Sequence, residues 1–232
     1  MLIFITFCFV IIIQTFFYLF LFGKFSFSKP IKKDYQTLPI SVIICAKNEA
    51  TNLEANLPFI ANQNYPNFEI VLVNDASTDD TLKVMEAFQL KFSSPKLSIQ
   101  IQSIQNKKIK GKKSALSLGI NSASNNYLVL TDADCKPVSH DWIAETTSHI
   151  NGEKEIVLGY GAYQKIENSF LNKLIRFETL LTAIQYFSYA KVGKSYMGVG
   201  RNIVYKKGVH TKNKGFQKHM HITSGDDDLF IN

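Results

Sequence analysis

The sequence predicts an α/β chain, a mostly parallel sheet flanked by helices and preceded by one membrane-spanning helix. Three observations predict it. Short apolar runs rich in β-branched residues recur along the chain, helical stretches separate them, and residues 2–22 carry no charge. Near-continuous apolar strands signify a sheet covered on both faces, because a strand with one wet face alternates polar with apolar residues.

The N-terminal run, "LIFITFCFVIIIQTFFYLFLF", comes first. A helix of that length reaches about 30 Å, the hydrocarbon thickness of a bilayer. A cleaved signal peptide would have a basic start, a shorter apolar core and a small-residue cleavage site. No Lys or Arg precedes this run and "GKFSFSKP" follows it, so residues 1–23 are read as a retained, single-pass anchor. Residues 24–38 form a basic juxtamembrane linker. Its Lys24, Lys29, Lys32 and Lys33 crowd the C-terminal flank of the span, which places residues 39–232 on the cytoplasmic side of the cell membrane.

Strands are expected at "ISVIICA" (40–46), "FEIVLVND" (68–75), "LSIQIQSI" (97–104), "NYLVLTDAD" (126–134) and "EIVLGYGAY" (155–163). Helices are expected over roughly 49–62, 78–92, 112–123 and 138–150, the second capped by Ser77 with Asp80 three residues on. Residues 169–190, "SFLNKLIRFETLLTAIQYFSYA", read as a long, mostly apolar helix. A core helix is the first reading. Its wide apolar face, in a chain that carries an anchor, leaves a membrane-surface or acceptor-gating role open.

With 232 residues, 46% hydrophobic and 19% charged, the chain can bury a sizeable core, which excludes global disorder. The net charge of +7 suits anionic partners. Cys8, Cys45 and Cys135 are odd in number, widely spaced and free of C-x-x-C pairing. That disfavours a disulfide framework or zinc site and points to a reducing compartment.

Ligands of such sheets gather beyond the carboxyl ends of the strands. There the first strand runs into "CAKNEA", the second into "VNDASTDD" and the fourth into "TDADCKP". One acidic loop is ordinary turn chemistry; three at one sheet edge suggest a site. Asp132 and Asp134, two apart in an extended segment, lean to the same side. Paired carboxylates keep their charge comfortably beside a cation, and Mg²⁺ or Mn²⁺ takes one or two carboxylates together with substrate phosphates. An Asx turn ending the strand explains the same spacing, and spacing alone does not separate the two.

The ordered set "SVIICAKNEATNLEANLPFIANQNYPNFEIVLVNDASTDDT", "GKKSALSLGI" and "YLVLTDADCKP" resembles the inverting nucleotide-sugar glycosyltransferases of family 2, from about residue 39 to 230. The resemblance implies a GT-A (Rossmann-like) fold. It implies that Asp75 accepts a hydrogen bond from the base, usually uracil, and that Glu49 lines the same pocket, while Asp79 and Asp80 serve the helix start. Asp132 and Asp134 match the D-x-D, with Asp134 the direct metal ligand and Asp132 also near the ribose. Lys112 or Lys113 of "GKKSAL" holds the donor, Lys113 foremost; Lys107, Lys108 and Lys110 are a solvated face. The late "TSGDDDLF" matches the family's acidic motif, which supplies the general base. Asp226 takes the base position, with Asp227 the alternative; an acidic helix cap is the competing reading for Asp227 and Asp228. The stretch "YMGVGRNIVYKKG" resembles the strand and loop flanking the donor sugar, with Gly198 and Gly200 allowing close approach and Arg201 and Asn202 carrying little weight.

Relatives continue with a Q-x-x-R-W-like segment and further membrane helices, so the catalytic domain is expected to be incomplete at its C-terminus. The implied function is transfer of a sugar from a UDP-sugar-like donor, with Mg²⁺ or Mn²⁺, to a lipid-linked or glycan acceptor in cell-envelope polysaccharide or glycolipid synthesis. Two alternatives remain. One is an inactive nucleotide-binding remnant. The other is a sugar-phosphate nucleotidyltransferase, which wants a Gly-rich loop where this chain has "CAKNEA". A phosphate-cradling G-x-x-x-x-G-K-[ST] loop is missing, and no basic–aromatic module for nucleic acid is present.

Overall fold

A computed structural model describes residues 1–29, 37–105, 111–150, 154–222, 225, 227 and 231. The chain divides into two compact units: Met1–Ile31 with Tyr160–Gly198 and Ile231–Asn232, and Lys32–Gly159 with Val199–Phe230.

The larger unit holds a six-stranded sheet. Its strands are β1 (Ile40–Ala46), β2 (Phe68–Asp75), β3 (Ser98–Ile104), β4 (Tyr127–Asp132), β5 (Ile156–Leu158) and β6 (Ile203–Lys206), in the order β3-β2-β1-β4-β6-β5. The first four run parallel; β6 is antiparallel to β4, and β5 to β6. This is the mostly parallel, helix-flanked sheet that the sequence predicts. The fifth strand is shorter than expected: after Leu158 the backbone keeps one more bond, from the Gly159 N–H to the Asn202 carbonyl, and Tyr160 begins the other unit.

Alternation along the strands sorts side chains to two faces. Ile40, Val42, Ile44 and Ala46 of β1 join Phe68, Ile70 and Leu72 of β2 in one core cluster. Leu53, Leu57 and Ile60 of α3 (Ala50–Ala61) and Met85 and Phe88 of α4 (Thr81–Phe92) complete it, with Ile143 of α6 (Trp142–Thr147). The opposite face carries Ile43, Val71 and Val73 beneath α5 (Lys113–Ser122). Gly119 permits that contact: a Cβ there would stand 2.8 Å from an Ile43 methyl and 2.9 Å from a Val73 methyl. Helix α8 (Lys207–Lys212) follows β6.

A buried carboxylate bolts the far end of this face. Glu69 accepts from the Ser41 hydroxyl (2.5 Å), the Ser124 amide (2.6 Å) and hydroxyl (3.0 Å), and the Gln100 amide group (2.8 Å). Four donors offset the cost of withdrawing its charge from water.

The smaller unit contains α1 (Leu2–Phe17), a π-helical turn (Tyr18–Phe22) and α2 (Gly23–Ser26), which make one helical segment, Leu2–Ser26, long and apolar enough to cross a membrane. It also contains α7 (Phe170–Lys191), whose Ser169 cap accepts from the Asn172 amide. Phe25 stacks on Phe187 (centroids 5.6 Å apart) and Phe17 meets Tyr189 (6.4 Å).

Candidate active site

Strand register builds the site. Cys45 pairs with Val73 on one side and Asp132 on the other, so the carboxyl ends of β2, β1 and β4 lie level. Asp75 has the parity of Val73, and Asp132 that of Cys45. Both therefore leave the sheet on the face covered by α5, with one strand between them and Asp75 two residues farther along, which separates their backbones by about 12 Å. Lys112, the residue preceding α5, enters from above that face.

These residues line one hollow of about 410 Å³, formed by Cys45, Ala46, Lys47, Glu49, Asp75, Gly111, Lys112, Asp132, Ala133 and Asp134. The volume falls in the range of small-ligand sites. Asp75 is almost wholly buried at its base. Glu49 is half-buried and accepts from the Asn52 side chain at 2.6 Å. The Lys112 ammonium is ion-paired to the Asp132 carboxylate.

Asp132 and Asp134 converge, but not through strand alternation. β4 ends at Asp132, Ala133 and Asp134 turn, and the Cys135 N–H closes the turn on the Asp132 carbonyl at 3.1 Å. That turn gathers oxygens of Asp132 and Asp134 and the Cys135 sulfur within 4.8 Å of one another. Burial, and then the charges of Asp134 and Asp132, push the Cys135 thiol up to about 12. A thiol kept neutral is a poor ligand, while two carboxylates are the donors that Mg²⁺ or Mn²⁺ prefers. The residues present fit a hard divalent cation. Cys135 is the member of this cluster that the D-x-D spacing did not single out, and nothing in the pattern pointed to it.

The loops that carry these groups are tied together. Asn48 and Ala76 both adopt left-handed backbone, with φ of 57° and 54°. The Asn48 side chain accepts from the Thr78 amide (2.8 Å), and the Asn48 N–H donates to the Ser77 hydroxyl (3.0 Å). Asp79 accepts from the amides of Thr81 (3.0 Å) and Ala50 (3.3 Å), and the Glu49 N–H donates to the Thr81 hydroxyl (2.8 Å). The hydrogen bond from the Thr81 side chain, above all, holds the Asp79 carboxyl below its ordinary value. Asp79 is thus a latch between two loops. Ser77 belongs to the same latch rather than capping a helix over 78–92: α4 starts at Thr81, after Asp80, whose carboxylate takes Lys83 instead.

Lys113 does not line the hollow. It is buried, and its ammonium donates to the Ile222 carbonyl at 2.9 Å, while its neighbour Lys112 faces the hollow. In a helix, consecutive residues point about 100° apart, so the two adjacent lysines reach different surroundings. Asp227 is not among the lining residues either; it accepts from the Gly200 N–H at 2.8 Å. Asp226 and Asp228 lie outside the described residues, as do Lys107, Lys108 and Lys110. Asn202 accepts from the Trp142 ring N–H at 3.2 Å.

Likeness to known proteins agrees with this geometry. The chain is similar to an uncharacterized glycosyltransferase of Haemophilus influenzae, 33% identical over 129 residues, which make up 55% of this chain and 37% of the relative. It is also similar to the poly-beta-1,6-N-acetyl-D-glucosamine synthase of Staphylococcus epidermidis, 28% identical over 125 residues, 53% of this chain and 29% of that protein. The chain thus matches well under half the length of either. Among solved structures, a mannosyltransferase from Pyrobaculum calidifontis in complex with GDP-Man and Mn²⁺ superposes with a TM-score of 0.68 at 22% identity, covering 90% of this chain and 56% of that one. S. aureus TarS 1-349 in complex with UDP-GlcNAc gives 0.53 at 18% identity, covering 84% and 52%. At these identities the likeness establishes the GT-A fold. The profile of "Glycosyl transferase family 2" matches residues 41–213, most of the chain including the whole hollow, and the chain belongs to that family of glycosyltransferases.

Proposed function

We propose that the chain is an inverting glycosyltransferase, held at the cell membrane by Leu2–Ser26 with its larger unit in the cytoplasm. It takes a nucleoside-diphosphate sugar, foremost a UDP-sugar, and passes the sugar to a lipid-linked or glycan acceptor in cell-envelope polysaccharide or glycolipid synthesis. One observation carries the reading: Asp75, Lys112, Asp132 and Asp134 converge on a single hollow at the carboxyl edge of the sheet. The donors named for the two solved neighbours, GDP-Man and UDP-GlcNAc, are both nucleotide sugars and support the same class.

Each residue has a physical task. Asp75 accepts a ring N–H of the base, a donor that uracil and guanine both present, and Glu49 closes the same end. Asp134 and Asp132 would hold Mg²⁺ or Mn²⁺, which supplies Lewis-acid neutralisation of the departing diphosphate. Lys112 exchanges its contact with Asp132 for the phosphates, adding a second positive charge where negative charge develops. Asp226 takes the proton from the acceptor hydroxyl as that oxygen attacks the anomeric carbon and the bond to the diphosphate breaks. Asp227, engaged with the Gly200 amide, anchors the acidic segment, and Lys113 steadies its approach through Ile222.

The test is turnover of UDP-sugars and GDP-sugars by the full chain in nanodiscs with Mn²⁺. Asp226→Asn is expected to lower the rate about 10²-fold or more while leaving donor KM unchanged. Full activity in Asp226→Asn, with loss in Asp227→Asn, would transfer the base role to Asp227; full activity in both would refute the single-displacement reading.

A further inference from the structure

We propose that α7 is a second membrane contact: the uncovered face of Phe170–Lys191 beds in the interfacial region of an anionic bilayer, beside the anchor. This rests on the reading of Leu2–Ser26 as membrane-spanning.

Six large apolar side chains of α7 stand in solvent: Phe170, Leu171, Leu174, Phe177, Leu180 and Leu181. At 100° per residue, Phe170, Leu174, Phe177 and Leu181 fall within about 60° of arc, a single stripe, with Leu171 and Leu180 on its shoulders. Exposed apolar side chains in such a contiguous row mark a surface that something covers.

The anchor indicates what covers it. Phe187 stacks on Phe25, and Tyr189 meets Phe17. Ser188, between these two rings, is fully buried, and eighteen residues after Phe170 it points in the same direction. The face of α7 that the anchor covers at one end is therefore the face that runs on bare along the rest of the helix. The level is also right. From Leu2 to Lys24, the first charged residue, a helix rises about 33 Å, so Phe25 and its partner Phe187 lie where the hydrocarbon meets the headgroups. An apolar stripe that leaves the anchor from its charged end starts at the membrane surface.

Charge complements it. Over Met1–Ile31 and Tyr160–Gly198 the sequence has seven basic side chains, Lys173, Arg176, Lys191 and Lys194 among them, against two acidic ones, Glu167 and Glu178. Basic residues flanking an apolar stripe keep their stems on the lipid and their charges at anionic headgroups.

The test uses the full chain in nanodiscs of phosphatidylcholine with and without phosphatidylglycerol, containing lipids brominated at shallow or deep acyl carbons. Phe177→Trp is compared with the parent, whose one tryptophan is Trp142, and with Phe9→Trp in the anchor. Fluorescence from position 177 is expected to be quenched about twofold or more, by shallow bromines more than by deep ones, and more with phosphatidylglycerol present. Quenching at position 9 without quenching at 177 leaves the anchor standing and overturns the α7 contact, as does a stripe shielded only in dimers. Absence of quenching at both positions overturns the anchor itself and the inference with it.

Discussion

Replacing Gly119 by alanine drives a methyl group into the sheet beneath α5. The added carbon would lie 2.8 Å from the Ile43 Cγ2 and 2.9 Å from the Val73 Cγ2, against a comfortable separation of about 3.5–4.0 Å. Neither methyl can swing away cheaply: both residues are β-branched, almost wholly buried, and set in strands paired on both sides. Relief comes from lifting α5, which opens a gap elsewhere along the helix. Overpacking of this kind costs about 1–3 kcal/mol, and the better helix propensity of alanine returns up to about 1 kcal/mol. Contacts under 3 Å put the cost in the upper part of that range, and a net loss of roughly 1–2 kcal/mol follows. Urea unfolding read by Trp142 fluorescence should show the midpoint falling by about 0.5 M with an unchanged slope. Gly208→Ala, in α8, where the new methyl meets nothing within 4 Å, is the control and should be at least as stable as the parent, gaining up to about 1 kcal/mol of helix propensity. Lysine 112 precedes α5, so the lifted helix should also weaken nucleotide binding. A Gly119→Ala protein as stable as the parent would refute the close packing of α5 on the sheet.

The His210 ring is buried against Phe216, and burial, then the nearby Lys207 charge, holds its pKa below the ordinary value. The unfolded chain takes up a proton that the folded one declines, so stability should be full above roughly pH 6.5 and fall as pH drops through that value. His210→Phe should flatten that part of a thermal-unfolding pH series. Lys112→Met should weaken UDP or GDP affinity about tenfold in a calorimetric titration without moving the urea midpoint. Lys113→Met should do the opposite, lowering the midpoint through the lost contact to Ile222 while sparing affinity.

The fold was legible because its signals are local and cooperative. β1 and β2 begin and end where the apolar runs do, and the uncharged N-terminal run forms the long helix. The acids at the strand ends were legible because parallel strands in register must bring Asp75 and Asp132 to one edge. What stayed hidden depends on contacts between distant segments. Ser77 has the look of a helix cap, yet the Asn48 amide claims it from the neighbouring loop. Lys112 and Lys113 are indistinguishable by composition, and only the rotation of α5 decides which faces the hollow. Asp134 was expected to share a strand face with Asp132, whereas a turn closed by Cys135 brings them together. The place of Asp227 on Gly200 joins residues 27 apart and has no sequence signature.

Calorimetric titration of UDP and of GDP into the full chain, with Mn²⁺ and with a chelator, tests most directly whether the acidic hollow seats a metal–diphosphate complex. The account predicts binding of at least one nucleotide that chelation abolishes, that Asp134→Ala loses and that Asp75→Ala weakens. Nucleotide affinity unchanged by chelator and by Asp134→Ala would contradict it.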